Sequence, residues 1–526
     1  MATPTDLDWG AFNETAPWTL DRDGIAWWED AGALRSLAHS EVPGLITPAL
    51  LPPGRRGLSV VARLATAVVP WLWRRKRGRA AGSQGTADLS LRLRVAAEGL
   101  GPTFIKLGQI ISSGEGLFPD ELVEEFKRCR DQVPAETFED VRRTVETDLG
   151  QPLEAVFERF DRLPLAAASI AQVHAARLRT GEDVVVKVQR PDVARLVHKD
   201  LRAMAWLAPH LVGRIPVAAL ANPPALVELF AETIVEELDF RIEAANMLDV
   251  ASMLHDLGQT GYVVPRPHPR LVTRRVLVMQ RLDGFKFDDV AGMRDAGVDT
   301  EGVVRTAMVA LLEGAMVAGI FHGDLHGGNL IVLPDGRTGL LDYGIVARLD
   351  DARRVAFMRL MVSATTNDLT GQMAALRDLG ALPPDTDLAA VIRDLGFDQP
   401  PLDPTRLSGD QLVKEVQRVI KGLLGYGARM PKELMLYVKN LVFLDGAIAR
   451  LAPDLDILAE IANISLLFAQ RHGERLGREL GLGPVEIDLD GVKAGFGLEP
   501  GVETLTHRDL RARRALIQQR MRDRTT

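Results

Sequence analysis

Residues 322–329 read His-Gly-Asp-Leu-His-Gly-Gly-Asn, and residues 342–344 read Asp-Tyr-Gly. Phosphoryl transfer needs a carboxylate beside the attacking group and oxygen ligands for the metal that neutralises phosphate charge. An H-x-D-x-x-x-x-N run followed by D-[FY]-G supplies those parts, in the order used by protein kinases. Asp324 is then the catalytic carboxylate, with Asn329 and Asp342 as Mg²⁺ ligands. Between them, Leu330–Leu333, the turn Pro334-Asp335-Gly336 and Leu340-Leu341 predict a β-hairpin that returns Asp342 to the same cleft. Either half alone is a weak signal; both at this separation are a strong one.

Composition bounds the rest. A chain of 526 residues can bury a large core and suggests two to four folding units. The net charge of −8 argues against a general nucleic-acid binder, because proteins that track phosphate backbones carry excess Lys and Arg. The single cysteine, Cys129, excludes an internal disulfide and a cysteine-based metal cage. It falls in the helical stretch Glu121–Arg130, where a packing role is the expectation.

Residues 1–85 read as an extension holding six of the seven tryptophans. The acidic start lacks a basic region ahead of an apolar core, so no secretory signal is visible. Leu58–Trp73 is apolar but short for a span of ~20 residues, and Arg63 and Pro70 interrupt it. Arg74, Arg75, Lys76, Arg77 and Arg79 follow. Two readings of segment 58–79 stand open. One is a helix lying at an anionic membrane surface; the other is an apolar strap packed on the domain, followed by a solvated charged loop.

From Leu89 an apolar stripe (Leu93, Ala97, Leu100, Phe104, Leu107, Ile111) marks helix, interrupted at Gly101-Pro102, with Thr103 as a candidate cap. Lys106 and Gln109 share a polar face of the second piece. Further on, the alternation after Ile170, the turn Thr180-Gly181 and the run Val184–Val188 predict a hairpin whose second strand carries Lys187 among valines. That is the setting of a phosphate-orienting lysine. A long helix from Ala225 to about Leu257 is expected to align Glu236, Asp239 and Glu243, with Glu237 on another face. Residues 270–282 read as a strand running into a hinge at Met279, and Glu301–Gly319 as a buried helix presenting the His322 loop. His322 is expected to brace that loop rather than carry protons.

The run Leu100–Gln109, with its K-x-G-Q pattern at Lys106, Gly108 and Gln109, closely resembles the signature of the UbiB/ABC1/ADCK (AarF) family of atypical protein-kinase-like proteins. Matches continue through 164–191, 237–246 and 321–344, so the resemblance covers about residues 90–455. It implies that Ala166, Ala167, Ala168 and Ser169 form an alanine-rich phosphate loop where kinases carry glycines. It implies that Glu237 engages Lys106 across the nucleotide cleft, that Glu243 holds Lys187, and that Met279 contacts the adenine through the backbone. The chain departs from the family at Ser113-Gly114-Glu115-Gly116, where an Arg-Pro-Asp-like segment is usual, at Gln280 in place of Glu, and at Gly327 in place of Pro.

The expectation is therefore an α+β, bilobal, protein-kinase-like fold with a helical KxGQ insert and extra C-terminal helices. Its parts are an extension (1–85), a helical KxGQ segment (86–160), an N-lobe (161–282), a helical C-lobe (283–480) and a polar basic tail (481–526). The resemblance implies a Mg²⁺- and ATP-dependent phosphotransferase or ATPase linked to isoprenoid-quinone or other lipid metabolism. It implies a prenyl-lipid partner and a cytoplasmic location, peripheral on the inner face of a membrane. The alternatives are a soluble kinase of the aminoglycoside/choline type, which lacks the Lys106–Gln109 signature, a conventional protein kinase, and a non-catalytic nucleotide-gated scaffold.

Overall fold

The computed structural model describes residues 25, 27–28, 31–48, 51, 53–77, 82–112, 118–129, 134–211, 223–366, 368–397, 418–419, 422–423, 425–428, 431–481 and 504–522. The chain divides into two compact units with an α+β, kinase-like composition. The first comprises residues 1–252, 264–283 and 340–345; the second comprises 253–263, 284–339 and 346–526. The Ser113–Gly116 departure lies outside the described residues.

The first unit is built on an antiparallel sheet. Its strands are β1 (Phe157–Phe160), β2 (Ala166–Ala167), β3 (Ala171–Leu178), β4 (Asp183–Gln189), β6 (Pro267–Val272) and β7 (Val276–Gln280). They run in the order β1-β3-β4-β7-β6, with β2 on β3. Val184, Val186 and Val188 of β4 are buried, as β-branched residues on a central strand should be. Gly181, at φ +103°, makes the β3–β4 turn that a side chain would strain. The segment expected as one strand over 270–282 is two strands, because Thr273 and Asp148 take the amides that a continuous strand would have paired.

Ten helices among the described residues belong to this unit or begin in it. Those that matter here are α1 (Ala31–Ile46), α2 (Gly54–Lys76), α3 (Gly82–Leu100), α4 (Pro102–Ser112), α5 (Asp120–Lys127), α6 (Phe138–Leu149), α8 (Val193–Leu211), α9 (Pro223–Glu236) and α10 (Phe240–Asp256). The predicted break at Gly101-Pro102 falls between α3 and α4. Thr103 does not cap: it is buried in the first turn and its Oγ1 makes no hydrogen bond. Cys129, just past α5, is buried against Gly108.

The long helix expected over 225–257 is two helices. Asp239 receives the backbone amide of Arg241 and pairs with its guanidinium, a local turn that competes with helix continuation.

The extension packs on this unit. α2 turns Val60, Ala67 and Trp71 inward, and Trp71 Nε1 donates to the Gly85 carbonyl at 2.8 Å. Arg56 reaches the fully buried Asp200 of α8 at 2.6 Å and the Leu100 carbonyl. Leu58, Val69, Leu72 and Trp73 remain exposed on the other face, and Arg77 lies 3.3 Å from the centre of the Trp73 ring. The inner face of α2 thus serves as a strap and its outer face is left apolar, while Arg74–Lys76, expected in a loop, continue the helix; residues 78–79 lie outside the described residues. No helix among the described residues is long and apolar enough to cross a membrane.

The second unit holds a four-stranded sheet in the order β5 (Tyr262–Val263), β11 (Thr338–Leu340), β10 (Leu330–Val332), β8 (Phe285–Lys286), and a pair formed by β9 (Ile320–His322) and β12 (Val346–Arg348). The expected β10–β11 hairpin turns at Gly336, φ +85°. Its helices include α12 (Thr300–Glu313), which Asp299 caps and which ends in a π turn over Gly314–Ala318. α13 (Asp351–Thr365) is followed by α14 (Leu369–Asp378), whose first turn Asp368 caps. Then follow α16 (Lys432–Leu451), α17 (Ile457–Leu480) and α18 (His507–Arg522). The tail returns to α16, with Leu505 and Leu510 buried and His507 bonded to Asp445 at 3.0 Å.

Removing one partner of a buried ion pair leaves an uncompensated charge. Arg56→Ala is expected to lower stability by about 3 kcal/mol, read by chemical denaturation, and Asp200→Asn in that background should recover part of the loss. An unchanged midpoint in Arg56→Ala would show that α2 is not anchored through this pair.

Candidate functional site

In the first unit the site is organised by Lys187. Its neighbours in register are Val173 on β3 and Leu277 on β7. Only 8% exposed, it sets Nζ 2.7 and 2.9 Å from the two oxygens of Glu243 at the start of α10, and 3.1 Å from Asp342 Oδ2. Glu243 is deeply buried, whereas Asp342 stays open to solvent over 42% of its side chain.

The Asp342 turn is braced from below. Asp342 Oδ1 accepts the Gly344 amide at 2.9 Å, and Asn246 Nδ2 donates to the Tyr343 carbonyl at 2.9 Å. Burial pushes the Glu243 carboxyl up to about 7, opposed by Lys187 and reinforced by Asp342. Burial alone would lower Lys187, but Asp342 and Glu243 outweigh it and hold the ammonium well above its ordinary value. The lysine is thus a fixed positive charge, aimed by two carboxylates.

The break between α9 and α10 lets two acidic residues serve two lysines. Glu243 takes Lys187, while Glu237, in the break, has Oε1 2.9 Å from Lys106 Nζ on α4. Gln109 is half-buried one turn further along α4. The glycine between them has a packing reason, since a Cβ on Gly108 would lie 2.5 Å from the Phe126 ring of α5.

Ala166 and Ala167 form β2, the edge strand on β3, and Ala168 closes the turn by donating to the Ala171 carbonyl at 2.8 Å. None of the three alanines has positive φ, so this loop differs in backbone from a glycine-rich one. Ser169 is buried beside it. Arg190, which sequence reasoning missed, fixes the loop. Its Nε donates to the Ala168 carbonyl at 3.0 Å, its Nη1 to the Pro134 carbonyl at 2.9 Å, and it pairs with Glu136 at 2.7 Å. A signal was there, because Arg190-Pro191 ends the lysine strand, and a buried arginine must find acceptors. Met279 is buried on β7, its backbone in register with Val185 and Pro267.

In the second unit Asp324 is held on three sides. Its amide donates to His322 Nδ1 at 3.1 Å, its carbonyl accepts from Asn329 Nδ2 at 3.1 Å, and its Oδ1 pairs closely with Lys439 of α16. His322 thus braces the loop. Asn440, the next residue on α16, is fully buried, donates to the His322 carbonyl and accepts the Leu325 amide at 3.2 Å. His326 caps the short helix at Gly327–Asn329 by accepting the Gly328 amide. Neither Lys439 nor Asn440 was legible beforehand, since nothing in an amphipathic helix over a hundred residues away marks contact with the loop.

This arrangement defines a kinase-like protein. Residues 128–376 match the ABC1 atypical kinase-like domain. An aarF domain-containing protein kinase of the chloroplast in Arabidopsis thaliana is 34% identical over 70% of this chain and 73% of its own. Rv0647c of Mycobacterium tuberculosis is 35% identical, covering 69% and 74%. The probable protein kinase UbiB of Pseudomonas aeruginosa is 32% identical, covering 76% and 74%. The chain belongs to the UbiB/ABC1 (AarF) family of atypical kinase-like proteins.

Cutting Arg190 back to alanine strands Glu136 and two carbonyls. Arg190→Ala should cost about 1–3 kcal/mol, and amide hydrogen exchange at Ala168–Ala171 should quicken. Parent-like protection there would mean that the loop holds itself.

Proposed function

We propose that the protein binds Mg²⁺-ATP and transfers its γ-phosphoryl group or hydrolyses it, acting in isoprenoid-quinone or other lipid metabolism at a membrane surface. The observation that carries this reading is the Lys187 ammonium, buried and oriented between Glu243 and the half-open carboxylate of Asp342. A lysine so held supports pairing with nucleotide phosphates, and Glu243 keeps it in place when Asp342 turns to other work.

The donor chemistry fits magnesium. Asp342 and Asn329 offer hard oxygens, and Mg²⁺ takes one or two protein oxygens while phosphates and water complete its shell. When bound, the ion would neutralise charge on the phosphates. Asp324 would orient the acceptor hydroxyl or water and accept its proton as the P–O bond to ADP breaks and the new P–O bond forms. Ala166–Ser169 would lie along the phosphates, Met279 would meet the base through its backbone, and the Lys106–Glu237 pair with Gln109 would restrict which nucleotide enters.

The membrane part of the proposal rests on α2. Leu58, Val69, Leu72 and Trp73 are exposed beside Arg74 and Arg77, which supports a peripheral contact with an anionic lipid surface on the cytoplasmic side. The prenyl-lipid partner follows from the family alone.

Asp342→Asn should still melt cooperatively, at a somewhat lower midpoint, and lower Mg²⁺-dependent ATP consumption by at least about 100-fold; parent-like turnover would leave a scaffold as the better reading. In liposome flotation with anionic vesicles, the double substitution Leu72→Glu and Trp73→Glu should release the protein into the soluble fraction. Undiminished flotation would remove α2 as the contact.

A further inference from the structure

Within 322–329 there is no lysine or arginine. The cation at Asp324 comes instead from α16, whose Lys439 pairs with Oδ1, each side chain being only 18% exposed. The helix that delivers it is rigidly seated. Tyr437 of α16 is fully buried, with its ring edge-on to Phe321 at 5.7 Å and Phe357 at 4.6 Å, and Phe321 directly precedes the loop. Asn440 binds loop backbone on both sides of Asp324, at the His322 carbonyl and the Leu325 amide. With the amide and carbonyl of Asp324 also taken, by His322 and Asn329, the backbone of that residue is immobilised. The remaining freedom is rotation of the carboxylate, and Lys439 acts on it through Oδ1.

We propose that Lys439 is a positioning residue for Asp324. Its ammonium fixes the rotation of the carboxylate, so that the acceptor meets an oxygen already aimed at it. A charge-assisted bond to a carboxylate with little solvent access is strong enough to select one rotamer. A surface ion pair would not be, but this one is shielded and its helix cannot drift. The inference rests on the phosphoryl-transfer reading of Asp324 and extends it to a residue outside every motif of the loop.

The test is single-turnover consumption of radiolabelled ATP with Mg²⁺ by the full chain, comparing the parent with Lys439→Met, Lys439→Arg, Asp324→Asn and the double substitution. Thermal midpoints and affinity for a fluorescent ATP analogue are measured alongside. Lys439→Met should slow turnover by about 10–100-fold with nucleotide affinity unchanged, and Lys439→Arg should regain most of the rate. In the Asp324→Asn background, Lys439→Met should cost nothing further, because its partner is already neutral. Where Lys439→Met lacks a cooperative melt, Lys439→Gln takes its place.

A parent-like rate in Lys439→Met, or an equal proportional loss in both backgrounds, would overturn the role of Lys439 while leaving Asp324 intact. A parent-like rate in Asp324→Asn, or no turnover by the parent, would overturn the phosphoryl-transfer reading and this inference with it.

Discussion

Burying a lysine ammonium costs several kcal/mol unless carboxylates compensate it, and the first unit is arranged around meeting that demand at Lys187. Glu243 can reach Nζ only because α10 starts afresh at Phe240. Asp342 can reach it only because its turn is pinned by Asn246 and Gly344. The sheet supplies the dry environment through the valines of β4, and the same dryness raises Glu243 toward neutrality.

The second unit solves a different problem. Asp324 is held without being fully buried, its backbone tied to its own loop and its carboxylate to a distant helix. Tyr437 and Asn440 show why α16 can do this: one anchors the helix in aromatic packing and the other holds the loop backbone. The two units thus use opposite means, a buried cation aimed by acids and a shielded acid aimed by a cation.

Legibility followed the range of each interaction. Motifs whose members lie within a few residues, such as His322 to Asn329 or Lys106 to Gln109, were readable because spacing along one loop or helix face sets their geometry. The α9–α10 break was not. Apolar periodicity runs through it, and the helix ends where Asp239 takes the Arg241 amide and the Arg274 carbonyl takes the Phe240 amide. The split at Thr273 has the same origin: polar side chains capture backbone amides that periodicity had assigned to a continuous strand. Arg190 was half-legible as an arginine ending a buried strand, though not its grip on the Ala168 carbonyl.

The residue types and their order carried the expectation of phosphoryl-transfer chemistry: a lysine among valines, acids at helical spacing, and carboxylate loops rich in glycine. They also placed the chain in its family. The resemblance assigned Glu237 to Lys106 and Glu243 to Lys187, but what carries each acid to its lysine is a helix break that periodicity does not reveal. The pairing of Asp324 with Lys439, two residues more than a hundred positions apart, was decided by the fold. Local spacing specifies faces and turns; only packing between distant segments specifies which charges meet.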